Sequence, residues 1–295
     1  MKRLSFLLVI ALICSVMVSC NKEGQFSPKK KISKITCSAS SKSEYYDEYD
    51  GWVTYDESSS NYVSEIWNWN GKQLESIDHF DSDGTLESTE YFVYDGKKLT
   101  SINWGGAARY DFIYEKGKLS TIELYSGSTR AAIYDITHDG NKISKISVTS
   151  FDAKAANAHP LPSWILNLPQ RPQRQNNMNA PKETYTYEMQ FKWAGDNVEQ
   201  VTYLEAGAKE DIYFTYDNKL NPMYGLWDME GSDVNSILSK NNVTREEYRY
   251  DGESDVYTYS YTYSGNVPST QTSSYNYSSD DYRYSSTSTT IYDYK

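Results

Sequence analysis

A short unit recurs through this chain and restricts what it can fold into: an aromatic residue, a tight polar turn, then Leu or Ile, two residues, and Ile. It reads Trp69-Asn70-Gly71-Lys72-Gln73-Leu74-Glu75-Ser76-Ile77, and again Tyr94-Asp95-Gly96-Lys97-Lys98-Leu99-Thr100-Ser101-Ile102. It returns at Tyr114 to Ile122, His138 to Ile146 and Trp193 to Val201, and more loosely after Tyr216 and Tyr263. A regular repeat of strand and turn is an architectural signal. It carries no chemistry of its own.

The units read as β-hairpins. Tyr110, Phe112 and Tyr114 alternate with Asp111 and Ile113, and Tyr257, Tyr259, Tyr261 and Tyr263 alternate with Thr258, Ser260 and Thr262. Period-two patterns rich in Tyr, Thr, Ile and Val mark half-buried antiparallel strands. Asn70-Gly71, Asp95-Gly96 and Asp139-Gly140 break them, and are read as hairpin turns with positive φ at both central residues. Leu99 and Ile102 are three apart, as are Leu74/Ile77, Leu119/Ile122 and Ile143/Ile146. Either a bulge follows each turn, or the Leu tucks under the hairpin and the strand register starts at the Ile. Lys31-Ile32-Ser33-Lys34-Ile35 repeats Lys142-Ile143-Ser144-Lys145-Ile146, so the folded body begins near residue 31 on the second half of a unit.

Equivalent positions 74, 99, 119 and 143 are spaced by 25, 20 and 24 residues, room for one hairpin each. Neighbours joined by short turns pair antiparallel. The expected fold is all-β: an antiparallel meander of about fourteen to sixteen strands, rolled into a barrel-like or curled sheet because a flat sheet of that size is unusual. Residues 31–295 are read as one domain. A long Pro-rich loop at 152–183 carries the apolar island Trp164-Ile165-Leu166, expected to dock and plug one end. A second insertion, 222–243, holds Trp227 and at most a short helix near Asp233 to Ser239.

The first residues are of another kind. Lys2 and Arg3 precede the apolar run Leu4 to Val18, a signal-peptide core too short to span a bilayer securely. It ends at Met17-Val18-Ser19-Cys20, which resembles the lipobox of bacterial lipoproteins. That resemblance implies removal of residues 1–19, acylation of Cys20 and a lipid anchor as the sole bilayer contact. Residues 20–30 are read as a flexible tether, and Lys22-Glu23 resembles the export signal of surface lipoproteins in Bacteroidetes. Without residues 1–19 the chain has 27 basic against 40 acidic residues, a net −13. That balance argues against nucleic acid as a partner. Cys14 lies in the signal and Cys37 stands alone, so no disulfide framework exists and a packed core must hold the fold.

Chemistry is sparse. His79, His138 and His159 have no partners at metal-ligand spacing, and His138 occupies the aromatic position of its repeat, where packing is the expected role. Cys37, in a predicted strand with no nearby His, is read as an inert thiol. Asp81-Ser82-Asp83-Gly84 has its Gly too early for an EF-hand and is read as a hairpin turn. A bilayer-spanning barrel is disfavoured, because Asp78, Glu90, Asp111, Lys118 and Glu199 are expected on the outer face. The remaining lead is 29 Tyr and seven Trp, residue types enriched at binding surfaces and suited to stacking on sugar faces. Their even spread favours packing on the sheet for most, with the Tyr257–Tyr263 face turned inward.

Tyr213-Phe214-Thr215-Tyr216-Asp217-Asn218-Lys219-Leu220-Asn221-Pro222, followed by Ser239-Lys240-Asn241-Asn242-Val243, resembles the C-terminal half of a Bacteroidetes lipoprotein family with a porin-like fold and no assigned activity. The Tyr-Asp-Gly-Lys-Lys-Leu-Thr-Ser-Ile text is also similar to the YD repeats of Rhs-type surface proteins. The resemblance covers residues 31–295 and implies a barrel-like body on a lipid anchor. The expected function is therefore a non-catalytic outer-membrane lipoprotein without cofactor or metal, a binding or structural module with a glycan or protein ligand. The alternative is a hydrolase of envelope or dietary polymers using paired carboxylates, though nothing in the sequence selects a pair.

Overall fold

The computed structural model describes residues 23–49, 51–106, 108–151, 184–227, 237–250 and 252–295. They form sixteen strands: β1 (Ile32–Asp47), β2 (Gly51–Asn70), β3 (Gln73–Phe80), β4 (Leu86–Asp95), β5 (Lys98–Trp104), β6 (Ala108–Glu115), β7 (Lys118–Ser126) and β8 (Thr129–Asp139). The second half holds β9 (Lys142–Ser150), β10 (Tyr185–Ala194), β11 (Asn197–Glu205), β12 (Ala208–Leu220), β13 (Asn241–Tyr250), β14 (Glu253–Ser264), β15 (Val267–Ser278) and β16 (Tyr282–Tyr294). Every strand pairs antiparallel with its sequence neighbours, and β16 pairs with β1 to close a barrel. Helix is confined to a turn at Ile237-Leu238 among the described residues.

The Leu-x-x-Ile spacing is a bulge. Tyr94 pairs with Leu99 but Val93 with Ser101, leaving Thr100 as the extra residue. Both Leu99 and Ile102 thereby reach the interior, 4% and 1% exposed. The same slip occurs after Trp69, Tyr114, His138 and Trp193, and again at Tyr216 and Tyr263. The inserted residue is commonly a small hydroxyl, which donates to the carbonyl of the opposite strand: Thr100 to Val93 at 3.1 Å, Ser120 to Ile113 at 3.0 Å, Ser144 to Thr137 at 3.2 Å. Bulges bend and twist a strand, and repeated round the sheet they supply the curvature that closure needs.

The other repeat positions tie each unit to the next. The aromatic donates to the carbonyl of the preceding unit's Leu position: Trp69 to Ile32, Tyr114 to Leu99, Trp193 to Ile143, Tyr216 to Val198 and Tyr294 to Pro268, all at 2.6–2.8 Å. In the other direction, Lys31, Lys118 and Lys142 donate to the turn carbonyls of Gly71, Gly140 and Gly195. Lys31 and Lys142 also lie 5.1 Å from the Trp69 and Trp193 rings. The seam is one more such unit, with its hairpin cut. Ser33 is its bulge, donating to the Asp293 carbonyl at 3.1 Å, and the Lys295 amide bonds the Lys31 carbonyl. Tyr294 supplies the aromatic that the half-unit at residue 31 lacks.

One turn expectation is corrected. Asp95 pairs with Lys98, so Gly96 and Lys97 are the central residues, and only Gly96 has positive φ, +60°. Gly at the first central position is the type II′ arrangement. The Asp belongs to the strand. A Cβ on Gly96 would meet nothing within 4 Å, so Gly96→Val should cost only backbone strain, on the order of 1–3 kcal/mol. A thermal melt reads this directly, and an unchanged midpoint would refute the turn geometry.

The barrel's interior is mostly apolar, with Glu90, Glu210, Glu246 and Asp255 buried in it, and its outer face is charged. Trp67, Leu74, Ile77, Ile102, Tyr110, Leu119, Ile122, Tyr134 and Ile146 are all under 3% exposed. The outer face carries ion pairs around much of its circumference, among them Arg109–Asp111, Arg130–Glu123, Lys145–Glu188, Lys209–Asp211 and Arg245–Glu247, at 2.6–3.0 Å. Exposed pairs of this kind add little stability, but they occupy the face that a bilayer-spanning barrel gives to lipid. Glu90 departs from the expected outer set. It lies inside, 1% exposed, on the face of Phe92 and Tyr94, with its carboxylate 3.8 Å from His79 Nε2.

The end where the repeat turns cluster is plugged. Leu226, Trp227, Ile237 and Leu238 from the 222–243 insertion are buried there, with Trp227 edge-on to Phe112 at 6.4 Å. The segment expected as a flexible tether shares this role. Phe26 is 8% exposed and packs at 5.9 Å from Trp69, because a lone aromatic in a polar stretch gains by burial. The 152–183 loop and its island Trp164-Ile165-Leu166 lie outside the described residues.

Candidate functional site

The opposite end of the barrel is built differently. β1 and β2 run 16 and 20 residues, whereas β3 to β11 run 7 to 11. At about 3.3 Å per residue, the first hairpin and the β15–β16 hairpin beside it project past the other strands as a flap. The flap exposes large rings: Tyr46 is 53% accessible, Tyr55 55% and Tyr277 42%. Tyr45 and Tyr55 stack at 5.7 Å and 14°, and Tyr277 and Tyr282 meet at 6.1 Å. Strand register puts these four on the face that continues the barrel's interior. Tyr46 and Trp52 form an edge-to-face pair on the outer face, where the Arg283 guanidinium lies 4.2 Å from the Trp52 ring.

From this rim a track of tyrosines leads inward across four neighbouring strands. Tyr284 on β16 meets Tyr275 on β15 at 6.0 Å, Tyr275 stacks on Tyr257 of β14 at 4.5 Å, and Tyr257 meets Tyr248 of β13 at 5.7 Å. Two carboxylates fix the rings. Asp255 accepts from Tyr275 at 2.6 Å and Tyr250 at 2.5 Å, while Glu246 accepts from Tyr259 at 3.0 Å and Tyr248 at 3.3 Å. Burial and the bond to Asp255 both hold the Tyr275 hydroxyl protonated well above its usual range. The wall beside the track is small and hydroxylic, with Ala39, Ser41, Ser43, Ser273, Ser286 and Ser288 on the same face. A ring-lined surface beside a row of hydroxyls can both stack and hydrogen-bond.

Repeat alignment accounts for one of these carboxylates. In Val243-Thr244-Arg245-Glu246, Thr244 is the bulge and Glu246 stands where other units place Ile, 4% exposed. The Leu-x-x-Ile register of the repeat, continued to Val243, already marks Glu246 as inward. Asp255 had a weaker signal, as the residue two before Tyr257 on the inward face.

The other candidates sit apart from the track. His138 Nε2 lies 2.9 Å from the Glu23 carboxylate. Cys37 Sγ is half-buried, 3.2 Å from Ser64 Oγ. Asp81 to Gly84 form a hairpin connection in which Gly84 N–H bonds the Asp81 carbonyl and Asp83 accepts from the Thr85 amide. Among the described residues no three His, Cys, Asp or Glu side chains are grouped to hold a metal. Trp227 is buried in the plug, Trp193 is tied to the Ile143 carbonyl and Trp104 packs on the core. Cys20 and His159 lie outside the described residues.

No protein-family model matches this chain, and no curated protein does. Solved structures do. A porin-like protein from Bacteroides vulgatus aligns at 13% identity over 79% of this chain and 98% of its own, with a TM-score of 0.43. A porin-like protein from Bacteroides uniformis aligns at 11% identity over 93% of this chain and all of its own, with a TM-score of 0.53. At that identity the likeness is one of fold, and the porin-like architecture implied by residues 213–243 is the architecture found.

Proposed function

We propose that this protein is a non-catalytic, lipid-anchored binding module of the outer membrane whose ligand is a glycan. The observation that carries this reading is the tyrosine track Tyr248–Tyr257–Tyr275–Tyr284, whose last member is the strand-register partner of Tyr277 on the exposed rim. The exposed rim rings Tyr55 and Tyr277 suit the apolar faces of sugars, while the serines on the same face suit their hydroxyls. The ion-paired exterior supports a body carried beside the bilayer rather than through it. Glu246 and Asp255 each accept from two tyrosine hydroxyls, which supports positioning over acid–base work.

Tyr55→Ala and Tyr277→Ala should each lower binding on a polysaccharide array at least tenfold. Both side chains are about half exposed, so stability should change by less than about 1 kcal/mol. Undiminished binding would remove the rim from the site, and a wild-type protein that binds no glycan on a broad array would refute the ligand class. The anchor has its own check. Cys20→Ala should leave unprocessed or soluble protein, and a processed variant that still partitions with membranes would refute lipidation.

A further inference from the structure

The strap that enters the plugged end is fastened at several points. The Glu23 carboxylate accepts from the Leu119 amide at 2.6 Å and lies 2.9 Å from His138 Nε2, and the Leu99 amide donates to the Gly24 carbonyl at 2.9 Å. Gly24 is packed so closely that a Cβ there would lie 2.0 Å from the Tyr114 hydroxyl. Phe26 is buried against Trp69, and Lys30 reaches the Ser264 carbonyl at 2.9 Å. These contacts span hairpins from different parts of the barrel's circumference. The strap cannot swing without losing them.

Two residues separate Cys20 from Glu23, a span of at most about 11 Å. From this we infer that the plugged turn end is the barrel's membrane-docking surface, resting on phospholipid headgroups, with the tyrosine rim held away from the bilayer. The inference rests on acylation of Cys20, which would hold that residue at headgroup level. Thirteen residues of β16, at about 3.3 Å each and tilted about 40°, place the rim roughly 30–35 Å above the strap. Charge acts in the same direction. The turn end exposes Lys29, Lys30, Lys72, Lys97, Lys116 and Lys295, interspersed with Asp95, Glu115 and Asp139. The rim end exposes Glu48, Asp56, Glu57, Asp81, Asp83, Glu87, Glu253, Asp280 and Asp281, interspersed with Lys42, Arg109, Arg130, Lys209, Arg249 and Arg283, an acidic excess that an anionic headgroup surface repels. A rim facing outward is also the end that a large glycan can reach.

The test uses the acylated mature protein in phosphatidylcholine vesicles containing phosphatidylglycerol, with an acceptor dye on a headgroup and Cys37→Ser as background. A donor dye is placed at Lys72→Cys or at Asp280→Cys. Energy transfer from position 72 should exceed that from position 280 several-fold. Equal transfer, or more from 280, would overturn the orientation while leaving acylation intact. An unmodified Cys20, seen by mass spectrometry, would overturn the anchor and the orientation with it. Inserting about twenty Gly/Ser residues between Cys20 and Glu23 leaves the described fold untouched and adds roughly 25 Å of reach. The difference between the two labels should then narrow. If it stays as wide as in the unaltered protein, the strap is not what orients the barrel.

Discussion

Raising the pH through 10 to 11 should unfold this barrel in one cooperative step. Tyr94, Tyr114, Tyr134, Tyr216, Tyr261 and Tyr292 are all pushed far above the ordinary tyrosine range, with burial the largest cause in each. The unfolded chain releases these protons near pH 10, while the folded barrel retains them. The native state therefore binds more protons than the unfolded state above pH 10. Stability is fully present below that pH and falls as pH rises toward the folded values. Each such tyrosine removes roughly 1.4 kcal/mol per pH unit, so six together remove about 8. That approaches the whole stability of an ordinary domain. Circular dichroism and tyrosinate absorbance should change together. Gradual ionisation with the fold intact would show that these rings are open to solvent. Tyr292→Phe removes one titrating group and should make the alkaline loss less steep, even though it gives up the bond to Gln271.

Tyr261→Ala should be among the most destabilising single changes in the C-terminal strands. Its ring packs beside Tyr263 at 6.0 Å, and its hydroxyl donates to the Val243 carbonyl at 2.6 Å. It also borders a cavity of about 70 Å³ with Glu246, Gln271 and Tyr292, so little of the lost volume can be refilled by neighbours. Truncating a buried aromatic costs about 3–5 kcal/mol, which in a barrel of this size lowers the melting temperature by roughly 6–15 °C. Tyr261→Phe keeps the ring and loses one hydrogen bond, at a cost of about 1–2 kcal/mol. Tyr277→Ala, on the neighbouring strand but in the projecting rim, should leave the melt nearly unchanged. A melt for Tyr261→Ala as mild as that for Tyr277→Ala would place Tyr261 on a surface, contrary to the inward ladder.

The two tyrosines also mark where local pattern stops being informative. Alternation assigned Tyr257, Tyr259, Tyr261 and Tyr263 to one face, and that face is the inner one. Nothing local separates Tyr261, half-buried on the inner face with its hydroxyl on the Val243 carbonyl, from Tyr277, beyond the reach of the shorter strands. Depth depends on how far neighbouring strands extend, and those neighbours come from elsewhere in the chain. Glu90 is different, because its place beside Phe92 and Tyr94 in a period-two strand already assigned it inward. General expectation about charged residues overrode that pattern.

The hairpins are legible in the local pattern, and the bulge is one of the two readings that the Leu-x-x-Ile spacing leaves open. Both depend on contacts within about ten residues: Gly at a positive φ, a hydroxyl beside an orphaned carbonyl, an aromatic facing a Leu. Closure, the plug and the strap were decided only in three dimensions. The ends of a sixteen-strand sheet meet only when the twist and stagger of every pair sum correctly, and Ile32 and Tyr294 become partners across almost the whole described chain. Glu23, Gly24 and Phe26 find their sites only once distant hairpins have been brought together. A segment of such polar composition looks like a coil because the groups that satisfy it, from Trp69 to His138, are distant in sequence and adjacent in space.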